Sequence, residues 1–340
     1  MRPKILIFQT EHRPNGYYSS GSPERLIGEM RVLGEVTVAP YSCPVDERLR
    51  LLREHDILVS DPAPPLPEEL ALERGRLKCV FCLHGSIRHV ISHAHLKAGL
   101  VVTNWGDSPG HSLATLSMTL LLALLRELPA QIETVRNNGW RLAASQTSSE
   151  RIWGGSIEGL RVGIFGMGFA GRCFAPIARS MGMILSGYDP YAEPWPEEVR
   201  RTTSLNELFT EIDALVICAA LTDQTRKSVT SELLARLPDG GIVINTARGA
   251  IVDQDALFNE LLGGRLRAGL DVLEPDCLPS DHPVRLLPNC ILTAHHDPAN
   301  RFNKPSIGRN ERYVLENIKR HIAGQSLRWV VDLALYERMS

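Results

Sequence analysis

Arg161–Gly171 reads RVGIFGMGFAG. It begins as an apolar, β-rich run. Gly166, Gly168 and Gly171 then fall at the spacing G-x-G-x-x-G, and the chain to about Met181 has the pattern of a helix. A second strand pattern, ILSGYDP, carries Asp189, 18 residues after Gly171. Each part has a physical task in gripping a dinucleotide: glycines allow a tight turn and close backbone approach, a helix N-terminus attracts a pyrophosphate, and the acid binds both ribose hydroxyls. A glycine triplet alone is weak evidence, but strand, turn, helix and acid together point to a dinucleotide site. Asp189 would repel a 2'-phosphate, and Pro190, Tyr191 and Ala192 include no arginine to receive one, so NAD is expected over NADP.

Outward from this stretch, strand-like and helix-like patterns alternate. RVGIFGM, ILSGYDP, ALVICAAL, GIVINTA, LRAGLDV and CILTAHH are six strand candidates, with helices expected near 205–210, 231–237 and 254–263. Apolar runs of this kind separated by helices imply a parallel sheet covered on both faces. An earlier alternation has strands at KILIFQT, EVTVAP, DILVSD, KCVFCLH and LVVTN and helices near 23–33 and 93–99. The expected fold class is therefore α/β with two doubly wound parallel-sheet domains. Proline-rich DPAPPLPEE is a loop between elements, because strand patterns resume on both sides. No heptad, solenoid period or low-complexity tract appears.

Bulk properties narrow the function classes. A net charge of -2, from 37 basic and 39 acidic residues, gives no overall footprint for nucleic acid or an anionic membrane, so a small-molecule partner is expected. MRPKILIFQT lacks the apolar core and cleavage site of a signal peptide. Leu113–Leu125, interrupted by Thr115, Ser117 and Thr119, is too short to span a bilayer and reads as a buried helix. Seven cysteines without an export signal point to reduced thiols in the cytoplasm. Cys79 and Cys82 have a redox-like CVFC spacing, but their apolar surroundings favour a core strand.

GIFGMGFAG with YDP, NTARGAIVDQDAL, AGLDVLEPDCLPSDHP and NCILTAHH, in this order, resemble the D-isomer-specific 2-hydroxyacid dehydrogenase family over nearly the whole chain. The resemblance implies a Rossmann NAD-binding domain, residues 105–297, inserted in a flavodoxin-like substrate domain made of 1–104 and 298–340. It also implies a homodimer built by the helix and arm of about 110–155. The implied activity is interconversion of a 2-oxo acid and its D-2-hydroxy acid, with NAD as cofactor. A 2-oxo acid needs a cation for its carboxylate, a proton donor for its carbonyl oxygen and a hydride donor against its carbon. Arg248 matches the family's substrate-binding arginine, whose planar fork suits a carboxylate. His295 matches the acid/base histidine, with a carboxylate partner from the DVLEPD loop. Gly85 and Ser86 match backbone donors to the substrate. Phe169, Ala170, Ala219, Thr225, Thr246, Ala247 and Asp271 join the glycines and Asp189 around the cofactor. No metal is expected, since hydride chemistry has no role for zinc, although His84, His89, His93 and His95 cluster upstream.

Several residues depart from the family pattern. Asp276 stands where a glutamate is usual, and Glu274 lies two residues earlier; either could pair with His295, and position favours Asp276. His296-Asp297-Pro298 replaces a glycine-containing turn, with His296 facing away from the site. Arg88 replaces an acid in HGSIRH, either as a second cation for a doubly charged substrate such as a dicarboxylate or phosphonate or, the favoured reading, as a surface or ion-paired arginine. Thr115 replaces a glutamate, and Cys218 and Ala220 replace a histidine and a proline. An NAD-sensing, corepressor-like protein on the same fold is the alternative function. A formate-oxidising relative is disfavoured, because that branch has a glutamine where this chain has an acid.

Overall fold

The structure, a computed structural model, describes residues 2–9, 23–61, 63–85, 87–137, 139–140, 157–295 and 308–337. The chain divides into two compact units, residues 1–108 with 297–340, and residues 109–296.

The first unit starts with β1 (Lys4–Gln9), α1 (Pro23–Leu33), β2 (Glu35–Pro40), α2 (Val45–Glu54), β3 (Ile57–Ser60), α3 (Glu69–Leu72), β4 (Cys79–Cys82), α4 (His93–Lys97) and β5 (Val101–Thr103). The strands are parallel in the order β2-β1-β3-β4-β5, the flavodoxin-like order.

The second unit comprises α5 (Gly110–Leu125), α6 (Leu128–Arg136), β6 (Arg161–Phe165), α7 (Phe169–Ser180), β7 (Ile184–Tyr188), β8 (Arg200–Arg201), α8 (Leu205–Leu208), β9 (Ala214–Ile217), α9 (Ser231–Leu234), β10 (Ile242–Asn245), α10 (Gln254–Leu262), β11 (Arg267–Leu270) and β12 (Cys290–Leu292). Its parallel sheet runs β12-β11-β10-β9-β6-β7-β8, with the reversal of a dinucleotide-binding fold at β6/β9. Among the described residues, seven strands are present where the patterning predicts six. The extra one, β8, is two exposed arginines, so it carries no apolar alternation to betray it. α11 (Arg309–Ile322) and α12 (Leu333–Glu337) complete the first unit.

Side-chain alternation along each buried strand builds a core on both sheet faces. In the first unit, Leu6, Phe8, Leu58, Val80 and Cys82 join one core with Leu51 and Leu52 of α2. Ile5, Ile7, Val59, Cys79 and Phe81 join the other, with Met30 of α1 and Ile318 of α11. Cys79 and Cys82 therefore face opposite sides of the sheet, and burial pushes their thiols up to about 11 and about 12. The CVFC spacing is a core strand. In the second unit, Val162, Ile164, Val216 and Ile244 pack on α5 and α7, while Phe165, Leu215, Ile217 and Val243 pack toward α8, α9 and α10. Truncating a fully buried side chain such as Phe174 would cost about 3–5 kcal/mol. No single described helix is long and apolar enough to cross a membrane; α5 and α6 pass that test only together, across a 60° bend.

Candidate active site

In the second unit, the carboxyl ends of six adjacent parallel strands carry nearly all the expected site residues. The glycine-rich turn follows β6, Asp189 follows β7, Ala219 follows β9, Arg248 follows β10, Asp276 follows β11 and His295 follows β12. Ligands of open α/β sheets bind along this edge.

The glycines test whether this edge suits a dinucleotide. Gly166 has φ +97, and a Cβ there would lie 2.5 Å from Ala219 N. A Cβ at Gly171 would lie 2.2 Å from the Gly166 carbonyl oxygen, so this glycine lets α7 close onto the turn. Gly168 is different: a Cβ would meet nothing within 4 Å. Two glycines serve the protein's own packing, and the third faces open space at the N-terminus of α7, where a pyrophosphate would approach. Asp189 Oδ2 accepts the Met167 N–H at 2.9 Å, and Oδ1 accepts those of Tyr191 at 2.8 Å and Ala192 at 3.1 Å. The carboxylate is thus fixed over the turn with acceptor capacity remaining for ribose hydroxyls. Phe169 is exposed and Ala170 half-buried at the start of α7. These residues fit the dinucleotide that the sequence pattern predicts.

The other expected cofactor residues are tied into their own loops. Thr225 Oγ1 donates to the Ala220 carbonyl at 2.7 Å and accepts the Thr222 N–H at 2.7 Å. Thr246 is buried, with its hydroxyl 2.8 Å from Ser117 Oγ on α5. Asp271 is buried and accepts from Thr293 Oγ1 at 2.5 Å, which joins the ends of β11 and β12. Ala247 is half-buried. Burial pushes the Cys218 thiol up to about 12.

The three chemical candidates sit on neighbouring strands. Asp276 Oδ2 lies 2.5 Å from His295 Nδ1, and Asp276 Oδ1 accepts the Leu273 N–H at 3.3 Å. The aspartate therefore reaches the histidine despite lacking a glutamate's extra methylene. His295 adopts φ +48, a left-handed conformation uncommon for a residue with a side chain. Arg248 is half-buried, and one guanidinium nitrogen donates to the Ala247 carbonyl at 2.7 Å.

Sequence reasoning misses the residues that brace this arrangement. Asn245, buried at the end of β10, accepts from Ala247 N at 3.0 Å and donates to the Arg248 carbonyl at 2.9 Å, which shapes the turn presenting Arg248. Gly249 lies so close to the Asp276 loop that a Cβ would sit 2.1 Å from the Leu273 carbonyl carbon. Gln254 grips Glu274. The sequence signs of Asn245 are a polar residue closing an apolar strand and its place at the head of NTARGAIVDQDAL, neither of which shows its bracing role.

In the first unit, Gly85 follows β4, is buried, and supports the Trp105 indole, whose Nε1 would lie 2.3 Å from an added Cβ. Ser86 and His296 lie outside the described residues. Arg88 donates to the Tyr336 carbonyl at 3.0 Å and the Glu337 carbonyl at 2.8 Å, with its guanidinium 5.4 Å from the Tyr336 ring centre. It is exposed, in keeping with the favoured reading of a surface arginine, and it caps the carboxyl end of α12. The upstream histidines also have structural partners. His84 Nε2 meets Ser60 Oγ at 2.9 Å, His93 pairs with Glu337 at 3.1 Å, and buried His95 bridges Ser92 and the Pro67 carbonyl. The His89 ring lies 4.8 Å from that of His84 in a tilted contact, and desolvation lowers its pKa. Among the described residues, no cluster of three His, Cys, Asp or Glu side chains could hold a metal.

The family profile described as "D-isomer specific 2-hydroxyacid dehydrogenase, NAD binding domain" matches residues 118–296. The chain belongs to this family. The chain is 28% identical over 317 residues to D-3-phosphoglycerate dehydrogenase of Methanocaldococcus jannaschii, covering 91% of this chain but only 58% of that protein. It is 31% identical over 227 residues to human glyoxylate reductase/hydroxypyruvate reductase, covering 65% of this chain and 67% of that one. Its fold superposes on the NAD-complexed D-isomer specific 2-hydroxyacid dehydrogenase of Lactobacillus delbrueckii ssp. bulgaricus with a TM-score of 0.75 at 21% identity, covering 97% of this chain and 100% of that one.

Proposed function

We propose that the chain is an NAD-dependent oxidoreductase that interconverts a 2-oxo acid and its D-2-hydroxy acid. The observation that carries the reading is the pairing of His295 with Asp276 at the carboxyl edge of a sheet that presents Arg248 from the next strand but one. Bound NADH supplies the hydride. Gly166, Gly168, Gly171 and Asp189 hold the dinucleotide, with Phe169, Ala170, Ala219, Thr225, Thr246, Ala247 and Asp271 around it. Arg248 clamps the substrate carboxylate and polarises the carbonyl. With Nδ1 bonded to Asp276, His295 uses Nε2 to give a proton to the carbonyl oxygen in reduction and to take it back in oxidation.

The first unit is read as the substrate domain, with Gly85 and Ser86 contributing backbone donors to the carboxylate. The second unit is read as the NAD domain. The active form is read as a cytoplasmic homodimer. The seven cysteines, none of them in a disulfide, support a reducing compartment, and exposed Leu128, Ile132 and Val135 on α6 support burial of the 110–155 arm against a second copy.

The test is NADH oxidation with a panel of 2-oxo acids that includes glyoxylate, hydroxypyruvate, dicarboxylates and phosphonates. Turnover yielding the D-hydroxy acid is expected, and His295→Asn should lower it by about 10²–10⁴ while His296→Asn costs far less. NADH binding without turnover of any member would overturn the reading in favour of a nucleotide sensor.

A further inference from the structure

The loop that carries Asp276 is gripped by a side chain from the first turn of α10. Gln254 Oε1 accepts the Glu274 backbone N–H at 2.9 Å, and Gln254 Nε2 donates to the Glu274 carbonyl at 2.8 Å. An amide that gives to and receives from the same residue's backbone reproduces a two-bond ladder pairing. It fixes the orientation of that residue as well as its distance. The platform is itself fixed, because Asp253 caps α10 through the Ala256 N–H at 3.2 Å. On the near side of the grip, Leu273 abuts Gly249 and donates to Asp276 Oδ1. Glu274 is exposed, and two residues later Asp276 meets His295.

We infer that Gln254 is a positioning residue: it sets the register of this loop so that Asp276, and not Glu274, presents its carboxylate to His295. The inference rests on the reading of His295 and Asp276 as the proton-transfer pair. Intrinsic reach favours Glu274, whose side chain is one methylene longer. Backbone placement must therefore favour Asp276, and the residue held on both its polar backbone groups is Glu274. The task needs a donor and an acceptor on one flat group at this length. Glutamate at 254 would keep an acceptor and lose the donor, and alanine would lose both.

The experiment combines kinetics with hydrogen exchange on the full-length protein. Gln254→Ala should lower kcat about tenfold or more, since small misplacements of reacting groups are costly, while the Kd for NADH stays within about twofold. Gln254→Glu should fall between the two. In the protein without cofactor, exchange of the Glu274 amide should accelerate in Gln254→Ala. On an Asp276→Asn background, Gln254→Ala should cost no more than about twofold further, because both changes act through one group.

An unchanged kcat in Gln254→Ala would overturn the inference, and so would a full additional tenfold loss on the Asp276→Asn background. An unmodified protein that reduces no 2-oxo acid overturns the functional reading itself. Normal turnover with an insensitive Gln254 overturns only the positioning role.

Discussion

Alanine at each glycine of the turn separates ligand binding from folding. Gly168 has φ -73 and ψ -156, extended values open to any residue, and its added Cβ meets no atom within 4 Å. Gly168→Ala reduces the freedom of the unfolded chain, a gain of about 0.4–1 kcal/mol. Against that, alanine is a poorer N-cap than glycine by a similar amount. The two terms nearly cancel, so Tm without cofactor should move by no more than about 2–4 °C. Gly171→Ala would place its Cβ 2.2 Å from the Gly166 oxygen, forcing α7 off the turn at about 1–3 kcal/mol or more. Its Tm should fall by several degrees. For NADH, the methyl group added by Gly168→Ala occupies the approach to the helix N-terminus. Losing one charge-assisted backbone contact there costs about 1.5–3 kcal/mol, which weakens Kd by roughly 10–100-fold. Fluorescence titration with NADH and thermal unfolding without it give the two readings. Gly168→Ala binding NADH within twofold of the unmodified protein, or losing as much Tm as Gly171→Ala, would refute the reasoning.

Three further outcomes are expected. Arg248→Lys should raise the apparent substrate KM and lower kcat with NADH affinity nearly unchanged, because lysine lacks two parallel donors; loss of NADH binding with a normal KM would count against the clamp. Replacing Asp189 by serine should narrow the preference for NADH over NADPH, measured as the ratio of kcat/KM values, and equal use of both cofactors by the unmodified protein would contradict the role given to that acid. The Asp56 carboxyl is buried, which raises its pKa, but the Lys4 N–H at 2.9 Å, Arg76 at 3.1 Å and Lys78 at 3.7 Å outweigh this and hold it below the ordinary 3.8. A folded pKa below the unfolded one stabilises at pH values above 3.8, and that stability is lost as pH falls through the folded value. Asp56→Asn should therefore be less stable at pH 7, by about 1–2 kcal/mol given the exposure of both cations, and denaturant titrations should show the gap closing below about pH 4.

The sequence made most of the architecture legible because each sheet's strands are apolar runs buried on both faces. Elements whose signal is charge or brevity escaped it. α2 reads VDERLRLLRE and α11 reads RNERYVLENIKRHI, where only a thin leucine, valine and isoleucine stripe marks the buried face. At the site, the motif order located Arg248, His295 and the acidic loop, since those side chains sit at strand ends that periodicity finds. Position in the motif favoured Asp276, the residue that meets His295, over Glu274, but the grip of Gln254 on this loop was not legible, because the two are distant in sequence. Arg88 is exposed, as its favoured reading has it, but its particular partners are carbonyls of Tyr336 and Glu337, at the far end of the chain, which no local pattern announces.

The two-residue strand β8 has a consequence for how copies of this protein meet one another. A sheet edge with free amides and carbonyls invites a second chain to add a strand. Here the rim is only Arg200 and Arg201, both exposed, with Arg201 bonded to Glu193 at 2.7 Å and lying 4.7 Å from the Trp195 ring centre, and Arg200 facing Glu207 at 3.6 Å. A neighbour docking there would find too little ladder to grip, and both rim side chains already engaged. Growth of fibrils or open-ended stacks through this edge is thereby discouraged at the concentrations where crowded enzymes begin to aggregate.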